Sequence, residues 1–319
     1  MGTLDKVLVL GARGMVGSAI VRRLRASDMV GEVVAAGRQE CDCLDRASVL
    51  RCYREVGPTA VVVAAAKVGG IEANRTMPYD FLLQNLAIAT NTIDVALELG
   101  VPRMLFLGSS CIYPRMAEQP IREDSLLTSA LEPTNEGYAI AKIAGLKLCQ
   151  MARRQHGVLY HSLMPTNLYG PHDNYHPQHS HVLPALIRRF ETAREEGAES
   201  VTLWGTGTAL REFLHVDDLA DAVLFSLLSD NPPDWANVGS GEEVSIRELA
   251  EIVRDACGAK CRIDWDATHP DGTPRKLLDT SVLRALGWSP RISLREGVAR
   301  TVLDYRREGA SRRGESRAN

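Results

Sequence analysis

Short apolar runs alternate with longer stretches of helical periodicity through the first half of the chain. The runs lie at residues 6–10, 32–36, 60–66, 103–107 and 159–163. They are brief and rich in branched or aromatic side chains, as strands buried on both faces are. Between them, apolar residues recur every three or four positions over 15–26, 45–56, 79–99 and 138–155, which predicts helices. Repeated strand–helix units predict an α/β fold, a doubly wound parallel sheet with helices on both faces.

The rhythm breaks at Pro165. Residues 165–181 are rich in Pro, His, Asn and Gly and read as a long loop. Beyond it the pattern predicts a helix near 181–196, a strand near 201–204 and a helix over 215–228. Another helix, over 245–257, has Ser245 as its N-cap. The charged end, 306–319, has almost no large apolar side chains and reads as mobile. No internal repeat is visible.

Composition narrows the class. Of 319 residues 45% are hydrophobic, enough for a large core and a smaller second one. A net charge of −3 gives no basic field for nucleic acid or an anionic membrane. No apolar segment approaches the ~18 residues of a membrane span, and no signal-peptide layout precedes the first strand. The expected setting is the cytoplasm. The seven cysteines, at 41, 43, 52, 111, 149, 257 and 261, lack zinc-site spacing, so no metal is expected from them.

Chemistry enters with Gly11-Ala12-Arg13-Gly14-Met15-Val16-Gly17, between the first strand and the first helix. Glycines at this spacing allow a tight turn and close approach of backbone to a pyrophosphate. The helix N-terminus then offers unpaired N–H groups to the phosphates. A carboxylate about 20 residues on would take the ribose hydroxyls of NAD. The second strand ends instead at Arg38, and Arg13 adds another cation, a pair suited to the 2′-phosphate of NADP. Residues 1–170 are therefore read as a Rossmann-type NADP-binding domain, rejoined by about 212–239. Residues 171–211 and 240–307 form a smaller mixed α/β substrate domain, and 308–319 a mobile tail.

Tyr138 and Lys142 stand four apart at the start of a helix and share a face. An ammonium beside a phenol eases its ionisation, so the pair can pass a proton to or from a carbonyl oxygen. Ser109, at the end of the 103–107 strand, supplies a hydroxyl to hold that oxygen. Leu107 and Gly108 beside it, Ala64 and Ala65 after the third strand, and Pro165, Thr166, Asn167 and Leu168 after the fifth are expected to border the dinucleotide. Residues 172–181 contain four histidines, which invites a metal. The chemistry needs none, and no carboxylate ligand is obviously placed.

The glycine turn, Tyr-x3-Lys and the upstream serine resemble the extended short-chain dehydrogenase/reductases. Ala64–Ile71, Gly108-Ser-Ser-Cys-Ile-Tyr-Pro114, Glu132-Pro-Thr-Asn135 and Met164–Asn174 are similar to blocks of the GDP-L-fucose synthase family, as are Arg211–Asp218 and Pro270–Asp279. The matching blocks run from about residue 6 to 300. One departure is Gly137, where the family pattern places proline before the tyrosine, a difference in local rigidity.

The resemblance implies an NADPH-dependent epimerase–reductase acting on a GDP-sugar, GDP-4-keto-6-deoxy-D-mannose. Two carbons flanking the ketone are inverted and the ketone is then reduced. Epimerisation needs a base and an acid facing each other across the sugar. The resemblance assigns these to Cys111 and His181, with His181 also near the cofactor; the plain alternative for Cys111 is a buried small hydrophobe. It further carries over Arg189, Trp204, Arg211 and Asp271 as substrate-binding residues, and implies a homodimer. Two rival readings are an NAD-dependent 4-epimerase of another nucleotide sugar and a silent dinucleotide-binding regulator.

Overall fold

A computed structural model describes residues 3–177, 180–269 and 272–307. The chain runs β1 (Leu4–Leu10), α1 (Met15–Arg25), β2 (Val30–Ala36), α2 (Arg46–Val56), β3 (Ala60–Val63), α3 (Ile71–Thr76), α4 (Pro78–Glu98) and β4 (Arg103–Leu107). It continues through α5 (Glu136–His156), β5 (Leu159–Pro165), β6 (Asn167–Tyr169), α6 (Val182–Glu196), β7 (Ser200–Trp204), β8 (Leu210–His215) and α7 (Val216–Leu228). It ends with β9 (Trp235–Val238), β10 (Glu243–Ser245), α8 (Ile246–Cys257), β11 (Arg262–Asp266), β12 (Arg275–Lys276), α9 (Ser281–Ala285) and α10 (Leu294–Arg307).

Six strands form one sheet in the order β2-β1-β3-β4-β5-β9, every neighbouring pair parallel. The two faces of β1 show why it is apolar throughout. Val7 and Val9 pack into the layer made with α1 and α7, while Leu8 and Leu10 pack into the layer made with α2, α4 and α5. Burial on both sides removes the polar alternation that a half-exposed strand would show. The strand order reverses between β1 and β3, and the crevice beyond the carboxyl ends of those strands is where such sheets hold ligands.

A second core gathers α6, α8 and α10 against Leu203 and Phe213. Around it β8 pairs with β6, β10 and β12, and β7 pairs with β11. Helix α8 starts with a full capping box between Ser245 and Glu248, as the Ser-x-x-Glu spacing requires.

The structure corrects several expectations. The stretch predicted as loop contains β6, which runs parallel to β8 with Asn167 opposite Phe213. Its three residues gain strand geometry from a partner 46 positions away (Asn167 to Phe213) rather than from propensity. The run 60–66 ends as a strand at Val63, and Ala64 makes one further bond, to the Leu10 carbonyl. The residues expected merely to introduce the helix at 215 are strand β8, and the sixth sheet strand, β9, was not anticipated. The tail expected to be mobile lies outside the described residues from 308 on.

Candidate active site

The glycine turn closes the β1 end of the crevice. Gly11 has φ +75°, and a Cβ there would lie 2.7 Å from the Ala65 nitrogen. A Cβ on Gly17 would lie 2.1 Å from the Gly11 carbonyl oxygen, so both positions require glycine. This places Ala64 and Ala65 directly against the turn. Gly14 begins α1 without a side-chain cap and with no acidic residue in the first turn. The first N–H groups of α1, from Met15 and Val16 onward, are thus left for an anion. The turn fits a dinucleotide pyrophosphate.

At the β2 end the picture is more mixed than the sequence led us to expect. The Arg13 guanidinium is bonded to the Glu40 carboxylate and reaches Gln39 Oε1 at 3.4 Å. Arg38 is exposed, its Nε 3.8 Å from Asp42. A carboxylate, Glu40, therefore does stand beside Arg13, just past the strand end at which the sequence was read. It also accepts from the Gly37 N–H at 2.9 Å.

Strand β4 delivers the next group. Leu107 ends the strand, Gly108 donates to the Leu163 carbonyl, and Ser109 caps the short turn Ser110–Ile112. Ser109 Oγ accepts from the Cys111 N–H at 3.2 Å, which leaves its own O–H to donate elsewhere. Across from it, α5 presents Tyr138 and Lys142. Lys142 is 4% exposed, donates to the Leu107 carbonyl at 2.8 Å, and lies 5.7 Å from the centre of the Tyr138 ring.

Burial pushes the Lys142 ammonium down to about 8. Burial also pushes the Tyr138 phenol up, the charge of Cys111 adds to that, and the Ser109 hydroxyl pulls the other way. This corrects the expectation that the ammonium eases ionisation of the phenol. Lys142 is turned onto the Leu107 carbonyl, and desolvation dominates the tyrosine.

Cys111 is half-buried, whereas the other six cysteines are buried. Its Sγ receives two donors, the Asn135 side-chain amide at 3.4 Å and the Lys276 ammonium at 3.7 Å. Neither was singled out from sequence, although both lie inside the resembling blocks 132–135 and 270–279. Lys276 arrives on β12, whose register pairs it with Arg211 on β8. His181 is the N-cap of α6 and makes no side-chain capping bond there, and desolvation pushes its imidazole down. Pro165 ends β5. Thr166 Oγ1 and Asn167 Nδ2 both donate to the Glu212 carbonyl, at 3.3 and 2.8 Å, and Leu168 packs half-buried against the sheet core.

On the far side, Arg189 donates to the Thr202 carbonyl and lies 5.9 Å from the centre of the Trp204 ring. Trp204 is 65% exposed and stacks on His269 with centroids 4.3 Å apart. Arg211 is half-buried and donates to the Leu210 carbonyl. Asp271 and His179 lie outside the described residues. Among the described residues, no group of three His, Cys, Asp or Glu side chains is placed to hold a metal ion, and no helix is long and apolar enough to cross a membrane.

Comparisons with known proteins give the family. The model of the NAD dependent epimerase/dehydratase family matches residues 7–239. GDP-L-fucose synthase 1 of Arabidopsis thaliana is 56% identical over 300 residues, 94% of this chain and 93% of that protein. GDP-L-fucose synthase of Escherichia coli (strain K12) is 51% identical over 306 residues, 93% of this chain and 95% of its own. Among solved structures, a GDP-L-fucose synthetase from Naegleria fowleri bound to NADP aligns with a TM-score of 0.89 at 26% identity. That alignment covers 98% of this chain and 96% of that one.

Proposed function

The chain belongs to the NAD dependent epimerase/dehydratase family, and we propose that it converts GDP-4-keto-6-deoxy-D-mannose to GDP-L-fucose. The reaction inverts two sugar carbons and then reduces the ketone with NADPH. The observation that carries this reading is the position of Cys111. A thiol 3.7 Å from an ammonium sits two residues beyond Ser109 and within electrostatic reach of Tyr138. A simple reductase or 4-epimerase has no task for such a sulfur.

In this reading the Cys111 sulfur, with the Lys276 ammonium 3.7 Å away, takes the proton on a carbon beside the ketone. Tyr138 and Ser109 donate to the ketone oxygen as negative charge develops there. His181 returns a proton on the opposite face; Cys111 then releases its proton to water and His181 takes one from water, and the exchange repeats at the second carbon. While sulfur is charged, its field keeps the phenol protonated. Tyr138 is thus still loaded when reduction begins and gives its proton to the oxygen. Reduced nicotinamide, when bound, supplies the hydride. The residues that would hold the cofactor are the 11–17 turn, Arg13 and Arg38 toward a 2′-phosphate, Ala64 and Ala65, Leu107–Ser109, and Pro165–Leu168, with Tyr138, Lys142 and His181 around the nicotinamide. Arg189, Trp204, Arg211 and Asp271 are assigned to the GDP end. Residues 1–170 with 212–239 are assigned to the cofactor and 171–211 with 240–307 to the sugar nucleotide, in a cytoplasmic homodimer.

The test uses the keto-sugar in D2O without NADPH. Cys111→Ser should slow deuterium uptake into the sugar by at least about a hundredfold, the size of a lost catalytic base. Tyr138→Phe should impair NADPH oxidation more than it impairs exchange. Equal effects of the two substitutions on exchange would refute the division of labour.

A further inference from the structure

Asn135 occupies the N-cap position of α5, where asparagine is favoured because its side-chain oxygen accepts from the first-turn N–H groups. Here it makes no side-chain capping bond, and its backbone, at φ −130° and ψ 18°, is not extended as a cap normally is. Its Oδ1 is buried without a partner. Its Nδ2 lies 3.4 Å from Cys111 Sγ. The short turn Pro133–Asn135, capped by the Glu132 side chain, leads into the helix instead, so the Asn135 amide is free of capping duty, and its unsatisfied buried acceptor is a cost that folding alone does not explain.

The gain is at the sulfur. An amide NH2 and an ammonium are both donors, and a thiolate accepts far better than a thiol. Lys276 carries the charge but stands on β12, a strand of two residues. Asn135 is fixed three positions before Tyr138 on the same helix, so it ties the sulfur to the helix that bears the proton donor. We propose that Asn135 is a positioning residue of the epimerisation half-reaction: its amide donates to Cys111 Sγ and sets the place of the sulfur relative to Tyr138. This rests on the assignment of Cys111 as the base.

Asn135→Asp separates catalysis from folding. A carboxylate is nearly the size of the amide and suits the positive end of the helix, but it presents only acceptors and a like charge to the sulfur. The variant is expected to melt no lower than wild type while deuterium exchange falls by about a hundredfold. Asn135→Ser, which removes the amide without adding a charge, should lose about tenfold. Alkylation of the one half-buried cysteine by iodoacetamide at neutral pH should slow in the same order, with NADPH binding retained. Exchange and alkylation within twofold of wild type in Asn135→Asp would overturn the proposal. So would a loss of exchange that merely follows a fall in melting temperature and NADPH binding in both variants. A wild-type protein that takes up no deuterium would instead remove the Cys111 assignment itself.

Discussion

Burial sets Tyr138 and Lys142 moving in opposite directions, the phenol up and the ammonium down to about 8. The group of the pair that changes charge first above neutrality is therefore Lys142. Below that value it is a cation that steadies negative charge near the ketone oxygen, and above it that charge is gone. For the free enzyme, kcat/KM for NADPH oxidation is expected to fall along an alkaline limb centred near pH 8, moving up in Lys142→Arg because a guanidinium stays charged. Initial rates from about pH 6 to 10 check this, and a profile flat to about pH 9.5 would contradict it. Ser109, Tyr138 and Lys142 were legible in sequence because local spacing brings them together. The Lys276–Cys111 contact spans 165 positions, and no periodicity could announce it. Glu40 was missed for a different reason. It lies in the loop past β2, where a reading that stopped at Arg38 saw only cations.

At the level of elements, the long strands and helices could be read because each buries a continuous apolar face. β6, β9 and β12 have three, four and two residues, too few for a period to register, and their pairing is decided by partners elsewhere in the chain. Gly137 shows the same limit at a helix start. Proline is normally well tolerated in a first helical turn. In this chain a Cβ at 137 would lie 2.8 Å from the Pro78 carbonyl oxygen, because α4 begins directly against α5. Glycine there is a close-approach residue, and a difference in rigidity does not describe it fully. Gly137→Pro is expected to lower stability by about 1–3 kcal/mol as the two helix starts are forced apart. Since α5 carries Tyr138 and Lys142, NADPH oxidation should fall with it. Denaturant unfolding beside the activity assay tests both, and a variant as stable and active as wild type would show that the helices separate at no cost.

At the scale of the whole molecule, α4 and α5 bury one side against the sheet and leave the other open. Tyr79 is 71% exposed, and Leu83, Ile140, Leu148 and Met151 stand open on the same two helices. Ile140, Leu148 and Met151 recur at helical spacing, so they form one stripe along α5. Single exposed apolar residues are ordinary, but a stripe shared by adjacent packed helices is a surface that association would bury. This is the surface we propose for the homodimer. Leu148 and Met151 belong to the helix that carries Tyr138 and Lys142, so association would also brace the catalytic helix from outside. The double substitution Leu148→Lys, Met151→Glu is expected to turn a dimer into a monomer by light scattering at about 10 μM. It should lower the melting temperature in a concentration-dependent comparison, because subunit binding stabilises the folded state by mass action. A wild-type protein that is monomeric at that concentration would exclude the interface. A double variant that remains dimeric would move it to another face of the molecule.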